Sequence, residues 1–351
     1  MEAIKTFGKD LKYAFHVILH PLDGFWDLKH EKRGKTYMAI LLLVLYVITD
    51  ILDKQFVQYF NDNGNLPLTV NGHLMPGKFE LPGDVSSQFV SGLLFALPLL
   101  KGDSEIIITS PLESASYVDM TLNCLAKYGV KVENVDGAHR HYLVLGKQHF
   151  KAQDSKVEGD WSQAAFWTVG GALGAGITAS GVDFASLQGD KAVVEIMQRM
   201  CADIAQNADS VTVNSGATQA TVIDASNCPD IIPVLTVLAA VSDGTTKIIN
   251  AGRLRIKECD RLAAMTSELN KMGAAITEEP EGLTLIGKPE GLRGGVEVDA
   301  WNDHRIAMSL AIAAQCCAEP IILTGAGSVS KSYPDFWQDY QSVGGKIEVL
   351  A

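Results

Sequence analysis

Several helix openings in this sequence carry charge of the wrong sign for a helix start. Lys257 and Arg261 open a helix expected to end at Gly273, and His304-Arg305 opens one running into Ala314. Lys331 directly precedes the Pro334 start of the last helix. A cation at a helix N-terminus opposes the macrodipole at a cost of about 0.3–1 kcal/mol. A bound anion reverses that sign, because N-terminal amides and cations then face negative charge together. Ser86, Ser87 and Gln88, at another opening, are neutral donors suited to the same task. Any one of these residues taken alone reads as ordinary solvated surface. Recurrence at four openings of one kind points to an anion site.

Carboxylates occur among the same openings: Asp230, Glu258 and Asp303. Asp230 alone reads as a helix N-cap, and Glu258 beside Lys257 as a surface pair. Near an anion held by cations, however, a carboxylate can do general acid–base work. The chemistry indicated is proton transfer on phosphorylated or carboxylated substrates, with neither a metal motif nor a nucleotide loop.

The elements that carry these residues repeat. Four apolar, small-residue-rich stretches (91–100, 164–173, 234–240 and 307–314) each follow a short polar opening. With Ser87, Ser162, Asp230 and Asp303 as markers, the openings are separated by 75, 68 and 73 residues. Each opening supplies an Asp or Ser suited to cap a helix. A second, amphipathic kind of helix alternates with the first, at Tyr117–Tyr128, Val194–Ala205, Asp260–Met272 and Phe336–Val343. Three of these end at a glycine (Gly129, Gly273, Gly344), as helix C-termini prefer. Short strands are predicted at 106–109, 130–135, 247–250, 275–277, 321–324 and 346–350. The unit is strand, apolar helix, strand, amphipathic helix, strand, recurring about every 71 residues. The class is α/β built from repeated units. A doubly wound sheet is excluded by the lack of a Gly-rich βα turn of the dinucleotide type.

Composition narrows the setting. The chain has 351 residues, 47% hydrophobic and 20% charged, and a net charge of −12 that argues against general nucleic-acid binding. Six cysteines without a CxxC pair read as buried thiols in a reducing, cytoplasmic compartment. Residues 1–64 balance eight Lys/Arg against eight Asp/Glu, so all of the net negative charge lies beyond residue 64, and the turn-rich Asn61–Asn65 marks a boundary. Before it, Ile4, Phe7, Leu11, Phe15 and Ile18 recur at helical spacing, and a basic cluster at 29–35 precedes the apolar run Tyr37–Ile48. That run, extended to Leu52, is either a single membrane span (37–52) and tether or a buried or interfacial helix.

Longer strings carry a family resemblance. Leu81-Pro-Gly-Asp-Val-Ser-Ser-Gln, Arg255-Ile-Lys-Glu-Cys-Asp-Arg-Leu, Asn302-Asp-His-Arg-Ile-Ala-Met and Lys331-Ser-Tyr-Pro-Asp-Phe-Trp resemble the 5-enolpyruvylshikimate-3-phosphate synthases. The resemblance runs from about Leu66 to the C-terminus. It implies two lobes of repeated βαβαββ units and transfer of the enolpyruvyl group of phosphoenolpyruvate to shikimate 3-phosphate. By motif, Ser86, Ser87, Gln88, Ser114, Tyr117, Asp230 and Lys257 would hold shikimate 3-phosphate. Gln88, Arg261, Arg305 and Lys331 would hold phosphoenolpyruvate. Asp230 would be the base for the 5-hydroxyl, with Glu258 and His304 assisting proton transfer at the enolpyruvyl carbon. The resemblance implies a monomer with no metal or organic cofactor.

The sequence also departs from the family pattern. The family's Lys-Ser-x-Ser-x-Arg string and its Asn-x-Gly turn with an upstream Arg do not occur here. Residues 1–64 stand in their place, and 25–34 resemble the start of Yip-type bacterial membrane proteins. The division implied is a leader (1–64), an incomplete first lobe (65–155) and a C-terminal lobe (156–351). An incomplete lobe would leave strands without neighbours and the apolar helix at 89–100 exposed. Two readings follow: an active transferase, or an inactive remnant that still binds shikimate 3-phosphate.

Overall fold

The computed structural model describes residues 58–60 and 69–350. The expected amphipathic helix at 4–18, the Yip-like string, the run 37–52 and the Asn61–Asn65 boundary lie outside those residues. Among the described residues no helix is long and apolar enough to cross a membrane. The chain divides into two compact units, 1–75 and 76–351. In the first, strand β1 (Gln58–Phe60) pairs antiparallel with β2 (Thr69–Asn71), Gln58 opposite Asn71.

The second unit repeats one motif. Its first copy runs β3 (Lys78–Leu81), α1 (Ser87–Ala96), β4 (Ser104–Ile108), α2 (Ala115–Lys127), β5 (Val132–Asn134) and β6 (His141–Val144). The second runs α3 (Trp161–Leu173), β7 (Ile177–Ser180), α4 (Ala192–Arg199), β8 (Asp203–Gln206) and β9 (Ser210–Asn214). The third runs β10 (Val222–Asp224), α5 (Ile232–Val241), β11 (Thr245–Ile249), α6 (Arg261–Lys271), β12 (Ile276–Glu279) and β13 (Gly282–Ile286). The last comprises β14 (Leu292–Gly294), β15 (Glu297–Asp299), α7 (His304–Ala313), β16 (Cys317–Glu319), β17 (Ile322–Thr324) and α8 (Phe336–Ser342).

Sheet order repeats with the elements. The first and third copies form sheets β3-β4-β6-β5 and β10-β11-β13-β12, a parallel pair followed by an antiparallel hairpin. The second keeps β7-β9-β8, with the Gly159 amide bonded to the Gly181 carbonyl beside it. The last keeps only the parallel pairs β14-β16 and β15-β17.

The apolar helices form the core because they are hydrophobic all round. Ten residues of α3, nine of α5 and all ten of α7 are buried, and the three pack on one another. Each fully buried Leu, Ile or Val contributes about 1.5–3 kcal/mol. Helix α1 differs. It packs against α2 and buries only Ser87, Val90 and Leu94, while Phe89 and Phe95 are 57% and 42% exposed. The expected exposure of this helix is thus present, but every strand of β3–β6 has a neighbour, with β3 and β5 at the edges of the sheet.

Three other expectations are corrected. Helix α4 stops at Arg199 instead of Ala205, because Cys201 takes the left-handed conformation (φ 62°) that glycine supplies at Gly129, Gly273 and Gly344. The chain then turns back as strand β8. Residues 346–350 form no strand. The thiols are all free, but only Cys228 is buried, and Cys201 is exposed.

Candidate active site

The openings of the four apolar helices supply one cluster of charge and hydroxyl groups. Ser86 caps α1, its hydroxyl accepting from the Gln88 amide at 3.3 Å. Asp160 caps α3 and Asp303 caps α7, each through the amide two residues on. Asp230 does not cap α5. It sits in the tight turn Pro229–Ile231 before that helix with its carboxylate turned to cations, so the N-cap reading fails.

Arg261, the first residue of α6, is 1% exposed and spends its whole guanidinium on carboxylates. Nε donates to Asp303 Oδ2 at 2.8 Å, Nη1 to Asp230 Oδ1 at 2.9 Å and Nη2 to Glu258 Oε2 at 2.5 Å. A buried charge needs such pairing. The predicted dipole clash at this opening is therefore answered from within the protein. Asp303 is fully buried, and Arg261 outweighs the effect of that burial, holding its carboxyl below the usual range.

Asp230 is the hub. Besides Arg261, its carboxylate meets Arg305 Nη2 at 3.2 Å, Lys257 Nζ at 3.7 Å and the Tyr117 hydroxyl at 3.3 Å. Burial alone would raise its pKa, but the charges of Arg305, Lys257 and Arg261 win and hold it well below the carboxylate range. Arg305 is fixed in turn by the Ser162 hydroxyl (3.2 Å) and the Asp230 carbonyl (3.3 Å). Tyr117, in the first turn of α2, donates to the buried Asp190 at 2.5 Å. Burial pushes the Tyr117 phenol far up, and the charges of Asp190 and Asp230 add to that.

A cavity of about 390 Å³ opens onto this hub, lined by Ser86, Gln88, Arg253, Lys257, Glu258 and Arg305, with Asp230 in its wall. Of the residues singled out in the sequence, it gathers Ser86, Gln88, Asp230, Lys257, Glu258 and Arg305 around one space. Tyr117 and Arg261 bind Asp230 from behind. Ser114, in a left-handed conformation (φ 52°), accepts from Arg253 Nη1 at 2.9 Å. Ser87, His304 and Lys331 are not in the lining. Ser87 is buried, and Lys331 Nζ donates to the Asn302 carbonyl (2.5 Å) and side chain (2.9 Å). His304 is buried beside Asp303, its Nδ1 without a hydrogen-bond partner. Burial and the Arg305 charge lower its pKa, so the imidazole is neutral near pH 7. Among the described residues no cluster of His, Cys, Asp and Glu could hold a metal.

Two residues of the site were not expected from sequence. Arg253 ion-pairs with Glu113 at 3.2 Å and faces the cavity. Its signal was present, four residues before Lys257 in a run rich in cations. Asp190 was hidden, since an acid in the polar loop before a helix reads as a cap. Together Arg253 and Asp190 join α2 to the later repeats, as does the Ser114 amide bonded to the Ser226 carbonyl.

An arginine- and lysine-lined space beside an ionised carboxylate suits an anionic substrate and proton transfer. Comparison with known proteins points the same way. The family EPSP synthase (3-phosphoshikimate 1-carboxyvinyltransferase) matches residues 56–340, beginning earlier than Leu66. The 3-phosphoshikimate 1-carboxyvinyltransferase of Clostridium kluyveri is 53% identical over 304 residues, which are 87% of this chain and 70% of that one. That of Clostridium novyi is 50% identical over 304 residues, 87% of this chain and 69% of that one. The solved EPSP synthase of Acinetobacter baumannii has a TM-score of 0.71 at 26% identity, covering 87% of this chain and 71% of that one. The enolpyruvyl transferase NikO of Streptomyces tendae, at 18% identity and a TM-score of 0.68, covers 86% of this chain and 71% of its own, and shares the fold. With half of the residues identical over most of its length, this chain belongs to the EPSP synthase family.

Proposed function

We propose that this protein transfers the enolpyruvyl group of phosphoenolpyruvate to the 5-hydroxyl of shikimate 3-phosphate and releases phosphate, a step towards chorismate and the aromatic amino acids. The observation that carries the reading is Asp230, held ionised by Arg305, Lys257 and Arg261 in the wall of a cationic cavity. Asp230 is the base that takes the hydroxyl proton as the oxygen bonds to C2 of phosphoenolpyruvate. C3 takes up a proton at that stage, then loses one as the C2–O bond to phosphate breaks. Glu258, at the cavity edge, and the neutral His304 serve those two transfers.

Ser86, Ser87, Gln88, Ser114, Tyr117 and Lys257 hold shikimate 3-phosphate in this reading. Gln88, Arg261, Arg305 and Lys331 hold phosphoenolpyruvate. Arg305 already faces the cavity. Lys331 must leave Asn302 to reach it, and Arg261 must release one of its carboxylates. The chemistry calls for no cofactor. We read the enzyme as a cytoplasmic monomer, with 65–155 and 156–351 as its two lobes.

Phosphorus NMR of the purified chain with both substrates tests the proposal. The expected result is loss of both substrate signals in equal amounts, with matching growth of inorganic phosphate and of a new phosphate-monoester signal from the enolpyruvyl product. Binding of shikimate 3-phosphate without turnover would favour the inactive remnant instead.

A further inference from the structure

Asp190 is 2% exposed, and its two oxygens have unequal fates. Oδ2 accepts the Tyr117 O–H at 2.5 Å, while Oδ1 is buried with no partner. The same phenol oxygen lies 3.3 Å from Asp230 Oδ2. A phenol has one proton, so it can serve one of these carboxylates and not both. Two more features fix the arrangement. Gly189 lets the Asp190 turn lie directly against Ser116 and the Asn227 carbonyl, where a Cβ would collide. Lys191 is tied by its ammonium to the carbonyls of Phe184 (2.7 Å) and Ser186 (2.8 Å), which holds the turn from its other side.

We propose that Asp190 is a positioning residue for the transfer: it draws the Tyr117 proton to itself and so leaves Asp230 Oδ2 free to accept the proton of the substrate hydroxyl. This rests on Asp230 being the base. Without Asp190 the Tyr117 proton turns to Asp230, whose basicity a donated hydrogen bond reduces.

The groups facing Asp190 are Tyr117 from α2, Asp230 and Cys228 from the turn before α5, Arg305 from α7 and Asp160 at the start of α3. Burial, then Asp230, pushes its carboxyl up to about 6, against the Tyr117 hydrogen bond and the Arg305 charge. A protonated Asp190 is a weaker acceptor, so turnover falls as the pH drops through about 6.

Steady-state kinetics of the full chain between pH 5 and 8 tests this with D190N, Y117F and the double variant. D190N is expected to lower kcat about 10–100-fold at pH 7.5, less than loss of a base itself. KM for either substrate should move less than about threefold, and the acid limb near pH 6 should vanish. Y117F should lose the same limb, and the double variant should be no worse than D190N. If D190N does not fold, Y117F decides alone. A limb kept at its original pH, or losses that multiply in the double variant, would overturn the proposal and leave Asp190 a structural tie. Absence of transfer by the unmodified protein overturns the assignment of Asp230 and this proposal together, which distinguishes the two failures.

Discussion

Arg261 Nε and Asp303 Oδ2 lie 2.8 Å apart with both side chains fully withdrawn from water, joining the first residue of α6 to the cap of α7. Removing one member of a buried ion pair costs about 3–5 kcal/mol, because the other is left without compensation. Here the removal leaves the buried Asp303 without its arginine, while Asp230 keeps Arg305 and Lys257 and Glu258 is partly exposed to water. Arg261→Met should lower unfolding free energy by at least about that amount in urea titration. Arg261→Lys should recover only part, since an ammonium cannot reproduce three directed donors.

Asp230→Asn keeps the shape of the hub and removes its base. Turnover should fall roughly 10²–10⁴-fold. Calorimetry should show shikimate 3-phosphate still binding, because Lys257 and the hydroxyl donors remain. Turnover within a few-fold of the unmodified protein would return Asp230 to an electrostatic role.

His304 sets a stability trend with pH. Its folded pKa lies below the ordinary 6.5, so around that pH the unfolded chain binds more protons than the folded one. The stability this group contributes is present above about pH 6.5 and lost as the pH falls. His304→Gln removes the liability. Thermal unfolding at pH 7.5 and pH 5 should show the variant losing less Tm on acidification than the unmodified protein.

Gly189→Ala probes the contact between α2 and the later repeats. The added methyl meets the Asn227 carbonyl and Ser116 Oγ, and something must shift. The shift separates Tyr117 from Asp190, so kcat should fall about tenfold or more, as a misplacement of about 1 Å can cost up to about 10²-fold in rate. Gly216→Ala, which meets nothing within 4 Å, is the control and should leave kcat unchanged.

Much of this arrangement was legible because it repeats. The openings at Ser87, Ser162, Asp230 and Asp303 marked the four apolar helices, and three glycines marked where amphipathic helices end. The miss at α4 has a specific cause: Cys201 adopts the backbone conformation that glycine advertises elsewhere, and nothing in its chemistry signals it. Arg261 and His304-Arg305 do stand at helix starts, whereas Lys331 ends the short turn Ala326–Lys331 and α8 begins only at Phe336; the partners of these cations were not visible. Asp303 reaches Arg261 across 42 residues and Tyr117 reaches Asp190 across 73, distances over which spacing carries no information. Asp190 was lost for the same reason, since its burial depends on α2 being packed against it.

The four polar openings have one further consequence. Gln88, Ser162, Asp230 and Arg305 occupy nearly the same place in four copies of one motif; Gln88, Asp230 and Arg305 line a single space, and Ser162 holds Arg305 from behind it. Duplication of such a motif multiplies the helix mouth along with the scaffold beneath it. Each copy is then free to change its few polar residues without disturbing the apolar helix behind them. Repetition of one motif is thus a route by which a chain can build a many-sided site on a scaffold that stays the same.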